Sequence, residues 1–243
     1  MTNNLRNFYN SERVNTRADY GALSRTFVSG VFSWMTLGLT VTALMAYYFA
    51  ANPSLMTLLV TPQGSMSILG WVVMLAPLGF VMLMSFRFNR VSSATLQLLF
   101  MAFSVIMGIS LSFIFLAYTS ASIFKTFIVA AGMFGTMAVV GYTTKADLSK
   151  LGSILMMGVI GIIIASVVNM FTKSATFDYI ISFIGVFIFT GLTAYDMQKI
   201  KRIGEGEYGE ENTAKLKIMG ALSLYLDFIN LFLFLLRFLG NRK

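Results

Sequence analysis

Seven blocks of almost uninterrupted apolar residues, each 20 residues or longer, dominate this chain; they fall at about 26–50, 67–86, 92–118, 121–143, 152–171, 178–200 and 215–239. A bilayer core of roughly 30 Å is crossed by about 20 residues of α-helix. A helix is also the element that satisfies its own backbone polar groups in hydrocarbon. Of 243 residues, 57% are hydrophobic and only 12% charged, whereas soluble domains carry roughly 25% charge. Too little polar surface remains to cover a water-exposed body. The expectation is an all-α integral membrane protein with seven transmembrane helices, forming one domain over 26–243 behind a polar tail at 1–25.

The tail carries Arg6, Arg13, Arg17 and Arg25 and lacks an apolar core or small-residue cleavage site. It reads as cytosolic and not as a signal peptide. Only a few residues around Thr119 and Ser120 separate the third and fourth blocks. Pro53 and Pro62 bracket an uncharged loop, and Pro77 lies inside the second block.

Lys and Arg near helix ends set orientation. With the N-terminus inside, the cytoplasmic segments hold the four tail arginines, Arg87, Arg90, Lys145, Lys150, Lys199, Lys201, Arg202, Lys215 and Lys217. The external loops hold Lys125 and Lys173. The C-terminal Arg237, Arg242 and Lys243 run against the pattern, since an odd number of crossings puts them outside. Either the seventh helix crosses fully, or it enters and returns; Ile218 to Leu239 is long enough to cross. The net charge of +8 sits at helix ends, where anionic lipid heads lie, so a nucleic-acid partner is not expected. The expected setting is a bacterial inner membrane, with the N-terminus cytoplasmic.

The chain contains no histidine and no cysteine. That removes the usual ligands of catalytic zinc, the Ser-His and Cys-His nucleophile pairs and thiol redox chemistry. No Gly-rich phosphate loop occurs, and no cofactor or catalytic residue is expected. Pairs such as Gly158 with Gly161, and Gly132 with Gly135, read as points where helices approach closely.

Ionisable groups at membrane depth are costly and mark functional sites. Asp227 lies deep in the last apolar run, and Asp196 about one turn from the cytoplasmic end of the sixth. Asp196 has the plainer alternative of an interfacial pairing with Lys199 at i+3. For Asp227 the alternative is a neutral buried acid held for packing. Ser223, Asp227 and Asn230 follow at helical spacing and share one face of a helix otherwise made of Leu, Phe and Ile. Such a helix suits the middle of a bundle, its polar stripe facing a pathway or partner. Thr193 precedes Asp196 by one turn. Counted along the helices, Asp227 is deeper than Asp196 by roughly 7 Å, a gap that tilt would have to close.

The stretches GLTAYDMQKIK (191–201) and ALSLYLDFINLFLFLLRFLG (221–240) resemble the signature of the transmembrane Bax-inhibitor-motif family. Further likenesses lie in SRTFVSGVFSWMTLGLTVTALMAYY (24–48) and GYTTKADLSKLGSILMMGVIGIIIASVVN (141–169). The short N-terminus is similar to that of bacterial members. The resemblance implies a seven-helix fold with helix seven central and the other six around it. It implies a calcium leak controlled by pH through two aspartates, which fall on Asp196 and Asp227. It also implies a membrane arginine on the second helix as latch partner, here Arg87 or Arg90.

The implied mechanism is physically coherent. Two close carboxylates in a low dielectric resist ionising together, share a proton and titrate as a pair. A shared proton ties two helices; its loss sets two charges against each other, or draws in a cation. Carboxylate oxygens suit Ca²⁺, but a tight site wants about six to eight oxygens. Ca²⁺ is therefore expected as a permeant or weakly bound ion at Asp196 and Asp227, with Ser223, Asn230 and Thr193 as polar lining. Two other readings stay open. One is a membrane regulator that restrains a protease or another membrane-protein partner. The other is an intramembrane aspartyl protease, since Tyr195-Asp196 resembles a YD motif, although Asp227 lacks the GxGD setting.

Overall fold

The computed structural model describes residues 22–61 and 63–243. The expected tail at 1–25 lies outside them up to residue 21, and residues 22–25 already belong to the first helix. Seven helices are long and apolar enough to cross a membrane. They are α1 (Ala22–Ala51), α3 (Ile68–Arg87), α4 with the short α5 continuing it (Ser93–Ala117), α6 (Ser120–Thr143), α7 (Ser149–Thr172), α8 (Ala175–Gly204) and α9 (Glu210–Leu239). α4 (Ser93–Leu111) gives way to α5 (Ile114–Ala117) at Ser112 and Phe113. A short α2 (Pro53–Leu59) fills part of the first loop, its proline in the first turn, where a missing N–H costs nothing.

Ser and Thr side chains start four of the crossings. Ser67, Ser92, Thr119 and Ser174 accept from the backbone N–H of Gly70, Thr95, Ser122 and Phe177. These donors have no partner inside their own helices, and the hydroxyls supply one. Pro77 sits buried within a continuous α3.

α9 is the axis of the bundle. In its most apolar stretch 67% of residues are buried, against 11–33% in the other six crossings. α1, α4, α6 and α8 pack on it directly, while α3 packs on α4 and α2, and α7 on α8. The expectation of a central last helix is met, with four neighbours on its surface and α3 and α7 in an outer ring. Outside, Ile154, Met157, Ile160, Ile164 and Phe171 of α7 are exposed, a face suited only to lipid.

Helix contacts correct the glycine reading. A Cβ on Gly132, Gly135 or Gly161 would meet nothing within 4 Å, and only Gly158 packs, against Ile188. The close approaches are elsewhere. A Cβ on Gly141 of α6 would strike the Ala194 carbonyl of α8, and Gly185 of α8 lies against the Phe234 ring of α9. Gly-x-x-Gly spacing says that two glycines share a face, and nothing about which face meets a neighbour.

The basic C-terminus also finds its explanation. Asp178, in the first turn of α8, accepts from Arg242 at 3.2 Å and lies 3.8 Å from Arg237. The Asn241 carbonyl accepts from Thr119 N–H at 3.2 Å, and Lys243 N–H donates to the Ala117 carbonyl at 2.9 Å. α9 therefore ends at the membrane face that carries the α5–α6 turn and the start of α8, so it crosses fully. The tail's charge is met there by a carboxylate.

Candidate functional site

α8 and α9 are consecutive antiparallel helices that pack along their length, and each contributes one membrane-depth acid. Asp227 is 5% exposed and stands among Leu224, Tyr225, Phe228 and Leu231 of its own helix, all buried. Its Oδ2 has no hydrogen-bond partner among the described residues. A buried polar atom left unpaired costs on the order of 1–3 kcal/mol, so this oxygen is a departure from good packing that calls for a partner.

Asp196 is half-buried on α8. The Ser223 hydroxyl of α9 is the side-chain donor within its reach, and its carboxylate is near enough to Asp227 for their charges to interact. Ser223 lies one turn before Asp227, so Asp196 faces α9 one turn shallower than Asp227. Asp227 thus sits about one helical turn deeper than Asp196, and the two charges bear on each other across that stagger. Lys199, exposed on the next turn of α8, also bears on Asp196.

The other expected site residues are placed as follows. Thr193 is buried and donates to the Phe189 carbonyl at 2.8 Å, one turn back on α8. Asn230 donates to the Leu226 carbonyl at 2.8 Å within α9. Each donates within its own helix. Arg87 ends α3 and Arg90 follows it in the turn; both are exposed, on a helix that packs against α4 and α2. The structure brings Asp196, Asp227 and Ser223 together and leaves the two arginines at the outer ring.

Two polar knots brace the pair, and neither was singled out from the sequence. Tyr225 Oη lies 2.6 Å from Thr42 Oγ1 of α1, and Thr42 donates to the Ser104 carbonyl of α4 at 2.9 Å. Phe100 and Phe103 meet the Tyr225 ring edge-on. A tyrosine in mid-span must find a partner for its hydroxyl, which was the available signal. On α8, Gln198 donates to the Ala146 carbonyl at 2.8 Å and accepts from Leu148 N–H at 2.9 Å. Arg202 adds an ion pair to Asp147 at 2.8 Å. Asp147 also accepts from Ser149 Oγ and N–H, and together these donors hold its carboxyl well below the usual carboxylate range. The α6–α7 turn is thereby fastened to α8 one turn beyond Asp196.

At the same end, Glu211 of α9 accepts from the N–H and hydroxyl of Ser93 at 2.6 and 2.7 Å. It ties the start of α9 to the start of α4, where the helix dipole favours a carboxylate.

A family model described as "Inhibitor of apoptosis-promoting Bax1" matches residues 24–243. The chain is 46% identical to the inner membrane protein YbhL of Escherichia coli (strain K12) over 221 residues, covering 90% of this chain and 93% of that protein. It is 44% identical to an uncharacterized protein of Borreliella burgdorferi, covering 91% of this chain and 94% of that one. The uncharacterized protein RP147 of Rickettsia prowazekii is 41% identical, at 90% and 91% coverage.

Proposed function

Because this integral membrane protein belongs to the Bax1-inhibitor family, we propose that it is a pH-sensitive calcium leak gated by Asp196 and Asp227. The observation that carries the reading is the orphaned Oδ2 of Asp227, buried on the central helix with a second carboxyl one turn away. A slide of α8 along α9 that closed the stagger would let a proton held between the two acids partner that oxygen and fasten the helices. Without the proton, two charges in a low dielectric repel, and the α8–α9 contact is the element they would part. A Ca²⁺ ion arriving at the parted acids finds hard oxygen ligands, too few to trap it.

The membrane is proposed to be a bacterial inner membrane, with residues 144–148 and 205–209 on the cytoplasmic side. That follows from the distribution of Lys and Arg, and fusion reporters in the two segments test it. The name of the E. coli relative supports the inner membrane.

The deciding experiment is Ca²⁺ entry into liposomes holding the purified protein, measured with a trapped dye from about pH 5 to 8. A leak that changes with pH supports the gate. A flux equal to that of empty liposomes at every pH would leave the second reading, a regulator that restrains a membrane partner. The family description favours that reading in its own terms, since it names inhibition and not transport.

A further inference from the structure

α1 and α6 both pack on α8 and α9 rather than on one another. Between them runs a groove of about 640 Å³, lined among others by Val28 and Phe32 of α1, Gly135, Ala138 and Val139 of α6, and Met197 of α8. We propose that this groove is a lipid site that takes one acyl chain of an anionic phospholipid, with its headgroup at Arg25.

The walls fix the chemistry of the tail. Ala138 and Met197 are buried and form the floor, while Phe32, Gly135 and Val139 flank it. Gly135 is among the glycines whose added Cβ would meet nothing. The small residue on α6 therefore leaves space in the wall of the groove that no neighbouring side chain fills. An apolar slot of several hundred Å³ is the size that holds a long apolar ligand, and in a bilayer the only abundant one is an acyl chain.

The mouth fixes the chemistry of the head. Arg25 and Tyr142 line the same groove; Arg25 opens the crossing length of α1, and Tyr142 lies in the last turn of α6. Lys201 donates to the Tyr142 carbonyl at 2.8 Å, with its ammonium 4.9 Å from the Tyr142 ring centre. Arg25 and Tyr142, with Lys201 held against the latter, are side chains of the kind that anchor at the interface, and no acidic residue lines the groove. A phosphate-bearing anionic headgroup is attracted there, whereas a zwitterionic one gains little. Met197 adjoins Asp196 in the chain, so the bound tail lies against the turn of α8 that carries the gate. The lipid assignment itself does not depend on the leak.

The test is native mass spectrometry of the full-length protein, taken from nanodiscs holding equal parts of palmitoyl-oleoyl phosphatidylglycerol and phosphatidylcholine. The expected result is one retained phosphatidylglycerol. Arg25→Gln should lower its excess over phosphatidylcholine about fivefold, the worth of one basic residue near an anionic surface. Gly135→Leu should fill the slot and abolish retention of either lipid. A wild-type protein that keeps no lipid, or keeps both equally, overturns the proposal. So does a Gly135→Leu protein that keeps as much as the wild type. Arg25→Gln changes an exposed side chain and keeps the test valid if Gly135→Leu fails to fold.

Discussion

Tyr225 donates its phenolic hydrogen to Thr42 across a 2.6 Å contact, because Thr42 spends its only hydroxyl hydrogen on the Ser104 carbonyl. That chain of two bonds joins α9, α1 and α4 at a point two residues from Asp227. It fixes the rotation of the central helix, and with it the direction in which Asp227 faces. Replacing Tyr225 by Phe keeps the ring packing on Phe100 and Phe103 and removes the donor. The expected cost is about 1 kcal/mol, the net worth of one hydrogen bond, read from thermal unfolding in mild detergent. Combined with Thr42→Val, the two changes should be strongly non-additive; additive effects would mean that the bond carries no stability.

The staggered acids make separable predictions for gate and ligand. Asp196→Asn or Asp227→Asn removes a titrating group and keeps a neutral hydrogen-bonding side chain, so each protein should fold and lose most of its pH response. Asp227→Ala should loosen the α8–α9 contact and leave Asp196 without its partner, raising the leak. Were the acids chiefly ligands, Asn and Ala at either position would both depress flux. A double-mutant cycle on flux at fixed pH should show coupling between the positions, and its absence would mean that the stagger keeps them independent.

Gly141 and Gly132 lie on the same helix and should respond in opposite senses. A methyl at 141 meets the Ala194 carbonyl backbone, which cannot swing aside. Gly141→Ala should therefore cost about 1–3 kcal/mol, as overpacking does, and should disturb α8 two residues from Asp196. Gly132→Ala places its methyl in open space and should be neutral or stabilising by up to about 1 kcal/mol, from helix propensity. Melting temperatures of the two single variants decide it, and equal shifts would refute the assignment.

Asp147 sets the pH dependence of the turn that anchors α8. Its donors, Ser149 first and then Arg202, depress its folded value below the unfolded one. Its contribution is therefore complete above the ordinary carboxylate range near pH 4 and is lost as pH falls through the depressed folded value. Being exposed, it should matter little and respond to salt. Asp147→Asn should lower the melting temperature slightly at neutral pH, and the difference from wild type should shrink as the buffer is acidified. A gap that widened in acid would contradict the assignment.

The seven crossings were legible in the chain because a bilayer imposes one simple requirement, about 20 apolar residues with internally paired backbone. The blocks read at 26–50 and 67–86 became helices at Ala22–Ala51 and Ile68–Arg87. The centrality of the last helix was visible too, since a span apolar all round apart from one polar stripe belongs inside a bundle. Asp227 and Asp196 stood out as charges where charge is costly. Their relation was not readable, because sequence gives depth along each helix but not tilt or rotation. Tertiary packing set Asp196 beside Ser223 and left Asp227 one turn deeper with an unpaired oxygen. It turned Gly141 inward against α8 and left Gly132 and Gly135 without a helix neighbour, a choice that Gly-x-x-Gly spacing could not make. It also kept Arg87 and Arg90 in the outer ring and gave the basic C-terminus Asp178 as its counter-charge. Each of these depends on which faces of different helices meet, and that is decided by side chains far apart in the chain competing for the same contacts.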